Sequence, residues 1–227
     1  MRTLAILPVK SFADAKQRLA DSLAVGSRQA LARAMFSDVL SSLRRAPGID
    51  AIAVVTSDRD AKSAARADRV RVLPDPAEPG HSQAALAGIA HALAEGYERV
   101  VLIPGDTPLL QPAELAGLLA GARAVVIVPD RHGTGTNALV LSPPDAIEPS
   151  FGPGSFARHM SAAEQSGLPQ RVEHVPGLAL DVDTPADLAE LAAELELRRG
   201  QAPSTRGALR QLDRAGASPL RVPQASA

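Results

Sequence analysis

Apolar residues recur along this chain with two different spacings. Short runs of β-branched and other apolar residues, typical of strands buried on both faces, alternate with longer segments whose apolar positions repeat every three or four residues, typical of helices packed on a sheet. This alternation predicts an α/β fold with a mostly parallel central sheet flanked by helices. The predicted strands are Thr3–Leu7, Ala51–Thr56, Val70–Leu73, Arg99–Ile103, Ala124–Val128 and Ala138–Leu141, with weaker candidates at Arg171–His174 and Ala179–Val182. The predicted helices are Ser27–Arg45, Arg59–Ala67, Ser82–Glu95, Pro112–Ala122, Ser155–Ser166 and Pro185–Leu197.

Composition narrows the class of protein. The chain has 227 residues, 45% of them hydrophobic and 22% charged, which suits one sizeable core better than two domains. It has no cysteine, so disulfides, thiolate metal sites and cysteine nucleophiles are excluded. The apolar runs are too short for a membrane span or a signal peptide, and the net charge of −1 does not favour nucleic acid as the main partner. We therefore expect a cytoplasmic protein without nucleic-acid or membrane partners.

The charge is unevenly distributed between the main part of the chain and its last residues. Residues 198–227 contain six arginines and one acidic residue, so they carry a net charge of +5 and residues 1–197 carry −6. This last segment is rich in proline, glycine, serine and alanine, which is typical of disorder. We predict one folded domain over 1–197 and a flexible basic tail over 198–227. A flap over an anionic substrate and an arm reaching a second subunit are the functional alternatives.

Carboxylates follow two of the predicted strands. Asp106 lies in a proline-bounded turn directly after the strand that ends at Ile103, where open α/β sheets bind their ligands. Asp181 lies within the weaker strand candidate Ala179–Val182 and Asp183 directly follows it, so in a strand they would share one face and need a cation or water to offset their repulsion. Hard cations prefer such oxygen ligands. The pattern predicts a Mg²⁺ site formed by Asp106 with one of the other two, and a purely structural turn is the alternative for Asp106.

Basic side chains follow the first strand. Lys10, Lys16 and Arg18 lie in one polar loop, and three cations so close together favour a bound anion such as a triphosphate. A solvated basic loop is the alternative. The Walker pattern of P-loop proteins is absent from the sequence.

Two later loops are rich in glycine and hydrogen-bond donors. Residues 129–137 read Pro-Asp-Arg-His-Gly-Thr-Gly-Thr-Asn, and their backbone N–H groups, with Thr136 and Asn137, predict an anion-binding loop, although a plain hairpin turn is the alternative. Residues 151–159 read Phe-Gly-Pro-Gly-Ser-Phe-Ala-Arg-His and open a helix at Ser155, with His159 shortly after. Helix N-termini bind phosphate or carboxylate, and a simple cap is the alternative there.

Taken together, these segments resemble the CofC/FbiD guanylyltransferases of coenzyme F420 (deazaflavin) biosynthesis. The matching motifs run in the family's order and cover nearly the whole chain except the tail. Those shared with many nucleotidyltransferases are Gly105-Asp-Thr-Pro-Leu109 and Leu180-Asp-Val-Asp-Thr-Pro185. The narrower pair that specifies the family is Asp130-Arg-His-Gly-Thr-Gly-Thr-Asn137 and Phe151-Gly-Pro-Gly-Ser155. Leu7-Pro-Val-Lys10 and Ala15-Lys-Gln-Arg-Leu19 also match, and the family shares their glycine-free loop.

The resemblance implies a GT-A-like nucleotidyltransferase fold, that of the nucleotide-diphospho-sugar transferases, and a specific reaction. The phosphate of phosphoenolpyruvate, 2-phospho-L-lactate or 3-phosphoglycerate attacks the α-phosphorus of GTP, and pyrophosphate leaves. The sequence does not decide among these three acids. A homodimer and a transient contact with the downstream transferase of the pathway are further expectations from the family.

The resemblance also implies a role for each site residue. Lys10, Lys16, Arg18 and Asp106 would be catalytic, and Mg²⁺ would be held by Asp106 and Asp183. The acceptor would be held by Thr136, Gly152 and Ser155, with Asn137 and His159 beside them. The nucleotide would contact Pro8, Val9, Gly105 and Gln83, the last replacing the Leu-Asn pair that many members carry. Other readings of the same motifs are a molybdopterin-type nucleotidyltransferase, a nucleotide-sugar glycosyltransferase and a non-catalytic nucleotide-binding module.

Overall fold

The computed structural model describes residues 1–12, 16–76, 80–121 and 124–214. The strands found there are β1 (Thr3–Pro8), β2 (Ala51–Val55), β3 (Arg71–Leu73), β4 (Arg99–Leu102), β5 (Val125–Pro129), β6 (Thr136–Leu141) and β7 (Gln170–Val172). The helices are α1 (Val25–Arg45), α2 (Arg59–Ala67), α3 (His81–Ala94), α4 (Pro112–Leu119), α5 (Ser155–Ser166), α6 (Pro185–Leu197) and α7 (Pro203–Arg214).

The strands form one mostly parallel sheet in the order β3-β2-β1-β4-β6-β5-β7. The strand β6 runs antiparallel to both of its neighbours, and the other pairs are parallel. Because β6 is reversed, its first residues lie at the same edge as the last residues of β4 and β5. The chain leaves β1 toward β2 on one side and returns to β4 on the other, so a crevice opens beyond the carboxyl end of β1.

Alternating side chains along each strand pack against helices on opposite faces of the sheet. In β1, Ala5 and Leu7 contact the cluster that includes α1, α2 and α4, whereas Leu4 and Ile6 contact the cluster that includes α3 and α5. Gly88 lets α3 approach β1 closely, because a Cβ there would lie 2.5 Å from Cγ2 of Ile6. The predicted α/β fold with helices on both faces is confirmed.

Most predicted elements are present, with small shifts at their ends, and one strand candidate is wrong. Residues 179–182 do not pair with any described strand and form an irregular segment before α6. The sequence alternates there as a strand does, but the segment crosses the end of the sheet instead of joining it: the N–H of Val182 donates to the carbonyl of Asp106 at 3.4 Å. The alternate positions of Asp181 and Asp183 therefore do not make them neighbours on a sheet face. The predicted helix start at Thr184 and Pro185 is confirmed, with Thr184 accepting from the N–H of Asp187.

The prediction of a flexible tail is wrong for residues 203–214, which form α7. The side chains of Thr205, Leu209 and Leu212 are buried in the cluster shared by α1, α6 and α7. The carboxylate of Asp38 on α1 accepts hydrogen bonds from the N–H groups of Ser204 and Thr205 and from the Thr205 hydroxyl. The rest of the predicted tail, 215–227, lies outside the described residues. None of the helices in the described part of the chain is long and apolar enough to cross a membrane.

Candidate active site

Two adjoining cavities open at the carboxyl edge of the sheet. The first, about 440 Å³, lies beyond β1, and the second, about 430 Å³, lies beyond β4 and the beginning of β6. The residues that line both cavities form a shared wall, namely Pro8, His81, Pro104, Asp106 and Asp183. A ligand that extends across this wall would place its reacting atoms beside two carboxylates.

The first cavity combines an apolar floor with a charged rim. Phe12 and Phe36 meet edge to face beneath it, with their ring centroids 5.8 Å apart. The predicted nucleotide contacts Pro8, Val9 and Gly105 line this cavity, as do the predicted phosphate contacts Lys10 and Lys16. The apolar floor suits a flat nucleotide base, and the charged rim suits a polyphosphate.

Gln83, the predicted contact to the nucleotide base, is not among the residues that line either cavity. The helix α3 begins at His81, and Gln83 lies two residues, or about 200°, further around it. His81 and Ala84 therefore face the cavity instead. Desolvation in the cleft and the positive charge of Lys10 lower the pKa of His81. Sequence reasoning missed His81, and its place as the first residue of a helix after a strand was the available signal.

Lys16, a predicted phosphate contact, already forms ion pairs with two carboxylates in the structure. Its Nζ lies 2.5 Å from Oδ2 of Asp106 and 3.0 Å from Oδ1 of Asp183, and its side chain is only 7% exposed. Burial alone would lower the pKa of Lys16, but the two carboxylates outweigh it and raise that pKa. Lys16 thus offsets the repulsion between the two carboxylates, because residues 90 and 167 positions apart along the chain meet here.

Arg18 is also near these acidic residues but is far more open to solvent. One of its guanidinium nitrogens lies 3.9 Å from Asp183, and its side chain is 74% exposed. Arg18 lines the second cavity, so it is free to move toward an anion bound there.

The second cavity contains most of the predicted acceptor contacts. Thr136 and Asn137 from β6 line it together with Gly152 and Ser155 from the loop and helix that follow. Gly152 has a φ of +109°, a conformation that favours glycine, and this shapes the loop beneath Ser155. The structure therefore brings these four residues together around one cavity.

In the predicted anion-binding loop, residues 129–137, two backbone N–H groups already bind a side chain of the protein. The carboxylate of Asp130 accepts from the N–H of Thr134 at 2.9 Å and from the N–H of Gly135 at 3.0 Å. A Cβ on Gly135 would lie 2.7 Å from the same carboxylate. Asp130 therefore closes the loop, and the N–H groups of Thr134 and Gly135 already have a hydrogen-bond acceptor.

Asn137 and Asp181 form a second internal contact. The amide of Asn137 donates to the carbonyl of Leu178 at 2.7 Å and to Oδ1 of Asp181 at 3.3 Å. Burial and the charge of Asp106 raise the pKa of Asp181 despite the hydrogen bond from Asn137. Asn137 thus fixes the segment that carries both aspartates.

Arg131 and Asp187 anchor the same segment from outside the cavities. Arg131 pairs with Asp187 and Glu190 of α6, and Asp187 accepts from the N–H groups of Asp183 and Thr184. Burial would raise the pKa of Asp187, but these hydrogen bonds and Arg131 lower it. The interpretation of Asp187 as a charge of the first helical turn is confirmed.

His159 is not a direct contact of the acceptor cavity. It is fully buried behind Thr136, and it is absent from the residues that line the second cavity. The cause is its position on the second turn of α5, which turns the imidazole under the loop instead of into the cavity. Burial and the charge of Arg158 lower the pKa of His159 to about 4.

The acidic residues fit the binding of a divalent cation together with a polyphosphate. Within the described residues, no group of three or more His, Asp or Glu side chains has the arrangement of a complete metal site. However, Oδ1 of Asp106 is buried without a hydrogen-bond partner among those residues. Mg²⁺ is commonly held by one or two carboxylates, with phosphates and water completing its shell. Asp106 and Asp183 suit that incomplete set.

This fold and site define a nucleotidyltransferase-like α/β protein. A protein from Desulfovibrio desulfuricans G20, assigned to the nucleotide-diphospho-sugar transferases, aligns with a TM-score of 0.75 at 20% identity and covers 94% of this chain and 96% of its own. A nucleotidyl transferase from Methanothermobacter aligns with a TM-score of 0.63 at 18% identity, covering 87% of this chain and 99% of its own. At such identities these likenesses confirm the fold alone.

Sequence comparison identifies the family. Residues 3–215 match the family described as guanylyl transferase CofC like, and the chain belongs to it. A phosphoenolpyruvate guanylyltransferase from Conexibacter woesei is 51% identical over 216 residues, 93% of this chain and 97% of that protein. One of the same name from Sphaerobacter thermophilus is 41% identical over 197 residues, 85% of this chain and 93% of that protein. The predicted family and its guanylyltransferase activity are thereby confirmed.

Proposed function

We propose that this chain transfers GMP from GTP to the phosphate of phosphoenolpyruvate with the help of Mg²⁺, as a step of coenzyme F420 biosynthesis. A phosphate oxygen of the acid forms a bond to the α-phosphorus of GTP, and the bond from that phosphorus to the oxygen bridging to the β-phosphorus breaks. Pyrophosphate leaves with that bridging oxygen. The observation that carries the proposal is the shared wall between two cavities, where Asp106 and Asp183 lie.

The residues around the shared wall suit this reaction without a dedicated base. A phosphate monoester has its second pKa near ~6, so the nucleophile is already ionised at neutral pH. The remaining difficulty is to bring two anions together and to stabilise charge on the transferred and leaving groups. Lys10 and Lys16 border the first cavity and Arg18 the second, where they supply positive charge. When bound at Asp106 and Asp183, Mg²⁺ would neutralise and orient the phosphate oxygens.

The second cavity supports a small acid that carries both phosphate and carboxylate. Its polar contacts, Thr136 and Ser155, are donors beside a helix N-terminus, which favours anions. Phe151 and Leu102 add an apolar surface that suits a three-carbon skeleton. Phosphoenolpyruvate is chosen among the three candidate acids because the 51% identical relative is named for it.

The reaction is tested by pyrophosphate release from the full chain with Mg²⁺, each nucleoside triphosphate and each of the three acids. We expect release only with GTP and an acid, and the highest kcat/KM with phosphoenolpyruvate. Release that does not depend on the added acid would overturn the proposal. Release of a nucleoside diphosphate would instead indicate a nucleotide-sugar transferase.

The role of the carboxylates is tested by Asp106→Asn, with Asp145→Asn as the matched control at an exposed position outside both cavities. Loss of one preorganised electrostatic group lowers turnover by roughly 10²–10³-fold, so we expect that loss for Asp106→Asn and none for the control. The loss of turnover in Asp106→Asn should far exceed its loss of stability, measured as the thermal midpoint, because Asp183 still pairs with Lys16. Near-normal turnover of Asp106→Asn at ordinary Mg²⁺ would contradict the metal assignment.

A further inference from the structure

The imidazole of His159 lies between the acceptor cavity and the loop that forms its rim. It is fully buried, with Thr136 on one side and Ser150 on the other. The neighbouring Phe151 ring meets it edge to face with centroids 5.2 Å apart. His159 therefore reaches the acceptor only through other residues.

The hydrogen bonds of this imidazole fix its tautomer. The backbone N–H of Ser150 donates to Nε2 at 2.8 Å. An amide N–H only donates, so Nε2 must carry a lone pair, and the ring proton of the neutral imidazole must be on Nδ1. Nδ1 lies 2.9 Å from the hydroxyl oxygen of Thr136. The direction of this second bond follows: Nδ1–H donates and the Thr136 hydroxyl accepts.

A threonine hydroxyl that accepts in this way still has its own proton to donate. Thr136 lines the second cavity, and no acceptor for that proton is found in residues 1–12, 16–76, 80–121 or 124–214. The phosphate and carboxylate of the acceptor offer only lone pairs at neutral pH, so a hydroxyl held as a donor is complementary to them.

We propose, on the basis of the function proposed above, that His159 is a positioning residue that holds the Thr136 hydroxyl as a hydrogen-bond donor to the phosphorylated acid. The imidazole acts through Thr136 and exchanges no proton with substrate. The same imidazole accepts from the N–H of Ser150, so it is also one of the contacts that hold the cavity rim on α5.

The loop has a second support, which keeps substitutions at His159 interpretable. Arg158 donates to the Ser150 hydroxyl at 2.8 Å, to the carbonyl of Ser150 at 2.9 Å and to the carbonyl of Pro153 at 2.6 Å. Ser82 also accepts from the N–H of Phe151 at 2.9 Å. We expect the rim to keep its shape when the bond to His159 is lost.

Two substitutions separate the two hydrogen bonds of His159. In His159→Asn, the amide nitrogen stands near the position of Nδ1, so it still donates to Thr136 but leaves Ser150 without its acceptor. In His159→Gln, the amide oxygen stands near the position of Nε2, so it accepts from Ser150 and donates nothing to Thr136. The pair therefore distinguishes control of the hydroxyl from support of the loop.

Steady-state kinetics with GTP and phosphoenolpyruvate provide the first readout. We expect His159→Gln to raise the KM for phosphoenolpyruvate by about tenfold, the effect of one hydrogen bond to a charged group, and His159→Asn to raise it by less than about threefold. The KM for GTP should stay unchanged in both. Combining His159→Gln with Thr136→Val should add no further loss. Equal effects of the two substitutions, or a wild-type KM in His159→Gln, would overturn the proposal.

Nitrogen NMR of ¹⁵N-histidine-labelled protein provides a second readout that needs no turnover. The chain has five histidines, and the signal lost in His159→Asn identifies this one. We expect a neutral ring protonated on Nδ1 at pH 7, and protonation on Nε2 would overturn the proposal. If the wild-type protein released no pyrophosphate with any acid, the proposed function would fail, while this spectrum would still decide the tautomer.

Discussion

At the scale of single residues, the site is built from charges and donors that satisfy one another before any ligand binds. The carboxylate of Asp130 accepts from backbone N–H groups of its own loop, and the amide of Asn137 donates to Asp181. Lys16 forms ion pairs with Asp106 and Asp183. The Asn137 and Lys16 contacts join residues on different segments, so those side chains are oriented by the fold. Such preorganisation lowers the cost of arranging the site when the charges of two substrates arrive.

The buried imidazole of His159 makes stability depend on pH. Folding lowers its pKa from 6.5 to about 4, so the unfolded chain takes up this proton first as the pH falls. The contribution of the neutral imidazole to the free energy of unfolding is fully present above pH 6.5. It is lost progressively as the pH falls toward 4, and the loss reaches about 3 kcal/mol. Urea unfolding of the wild type and of His159→Asn at several pH values measures it. The difference between the two proteins should shrink as the pH falls through that window, and a constant difference would contradict a neutral buried His159.

At the scale of elements, α7 depends on a partner far away in the sequence. Its first turn has free N–H groups, and Asp38 on α1 accepts from two of them and from the Thr205 hydroxyl. The apolar face of α7 then covers α1 and α6 through Leu209 and Leu212. The cap and the buried face together explain why a segment of such polar composition is helical.

Asp38→Ala is expected to destabilise the chain by about 2 kcal/mol, because it leaves buried donors of α7 without their acceptor. Ser37→Ala is the matched control, since Ser37 lies next to Asp38 but makes only a 3.4 Å contact with the exposed Ser204 hydroxyl. Urea unfolding gives the loss, and amide hydrogen exchange should accelerate most over Pro203–Arg214. Equal stability of the two variants would contradict the role of Asp38 as the cap.

The helix α7 also shows which features could not be predicted from the sequence. Apolar periodicity located the sheet and six of the helices, because each of those signals lies within one segment. It did not predict α7, because the cap of that helix is the distant Asp38. It wrongly predicted a strand at 179–182, where the alternation reflects contacts at the end of the sheet. In the site, the motifs that the sequence grouped bring Asp106, Thr136, Gly152 and Ser155 to the lining of one cavity. Sequence reasoning missed the pairing of Lys16, the position of His81 in the shared wall and the burial of His159, which depend on how distant segments fold together.

At the scale of the whole molecule, Lys16 joins three distant parts of the chain. It follows β1, Asp106 follows β4, and Asp183 precedes α6, so their contact closes the cleft between the two cavities. The ammonium lies at the position between the carboxylates where a divalent cation would have to bind. If Mg²⁺ is held by both carboxylates as proposed, it would compete with Lys16 for them, and the ammonium would then be available to phosphates in the first cavity.

This competition makes Lys16→Met a direct test of the cation site. Without the ammonium, Asp106 and Asp183 repel each other until a cation binds, so Mg²⁺ should bind the variant roughly tenfold more tightly than the wild type. By ligand linkage this adds about 1.4 kcal/mol at saturating Mg²⁺, or about 3 °C of extra rise in the thermal midpoint. Lys62→Met, which removes a lysine on α2 away from both cavities, should respond to Mg²⁺ as the wild type does. If Mg²⁺ raised the midpoint of Lys16→Met no more than that of Lys62→Met, the carboxylates would not be the cation site and Lys16 would be a structural ion-pair partner alone.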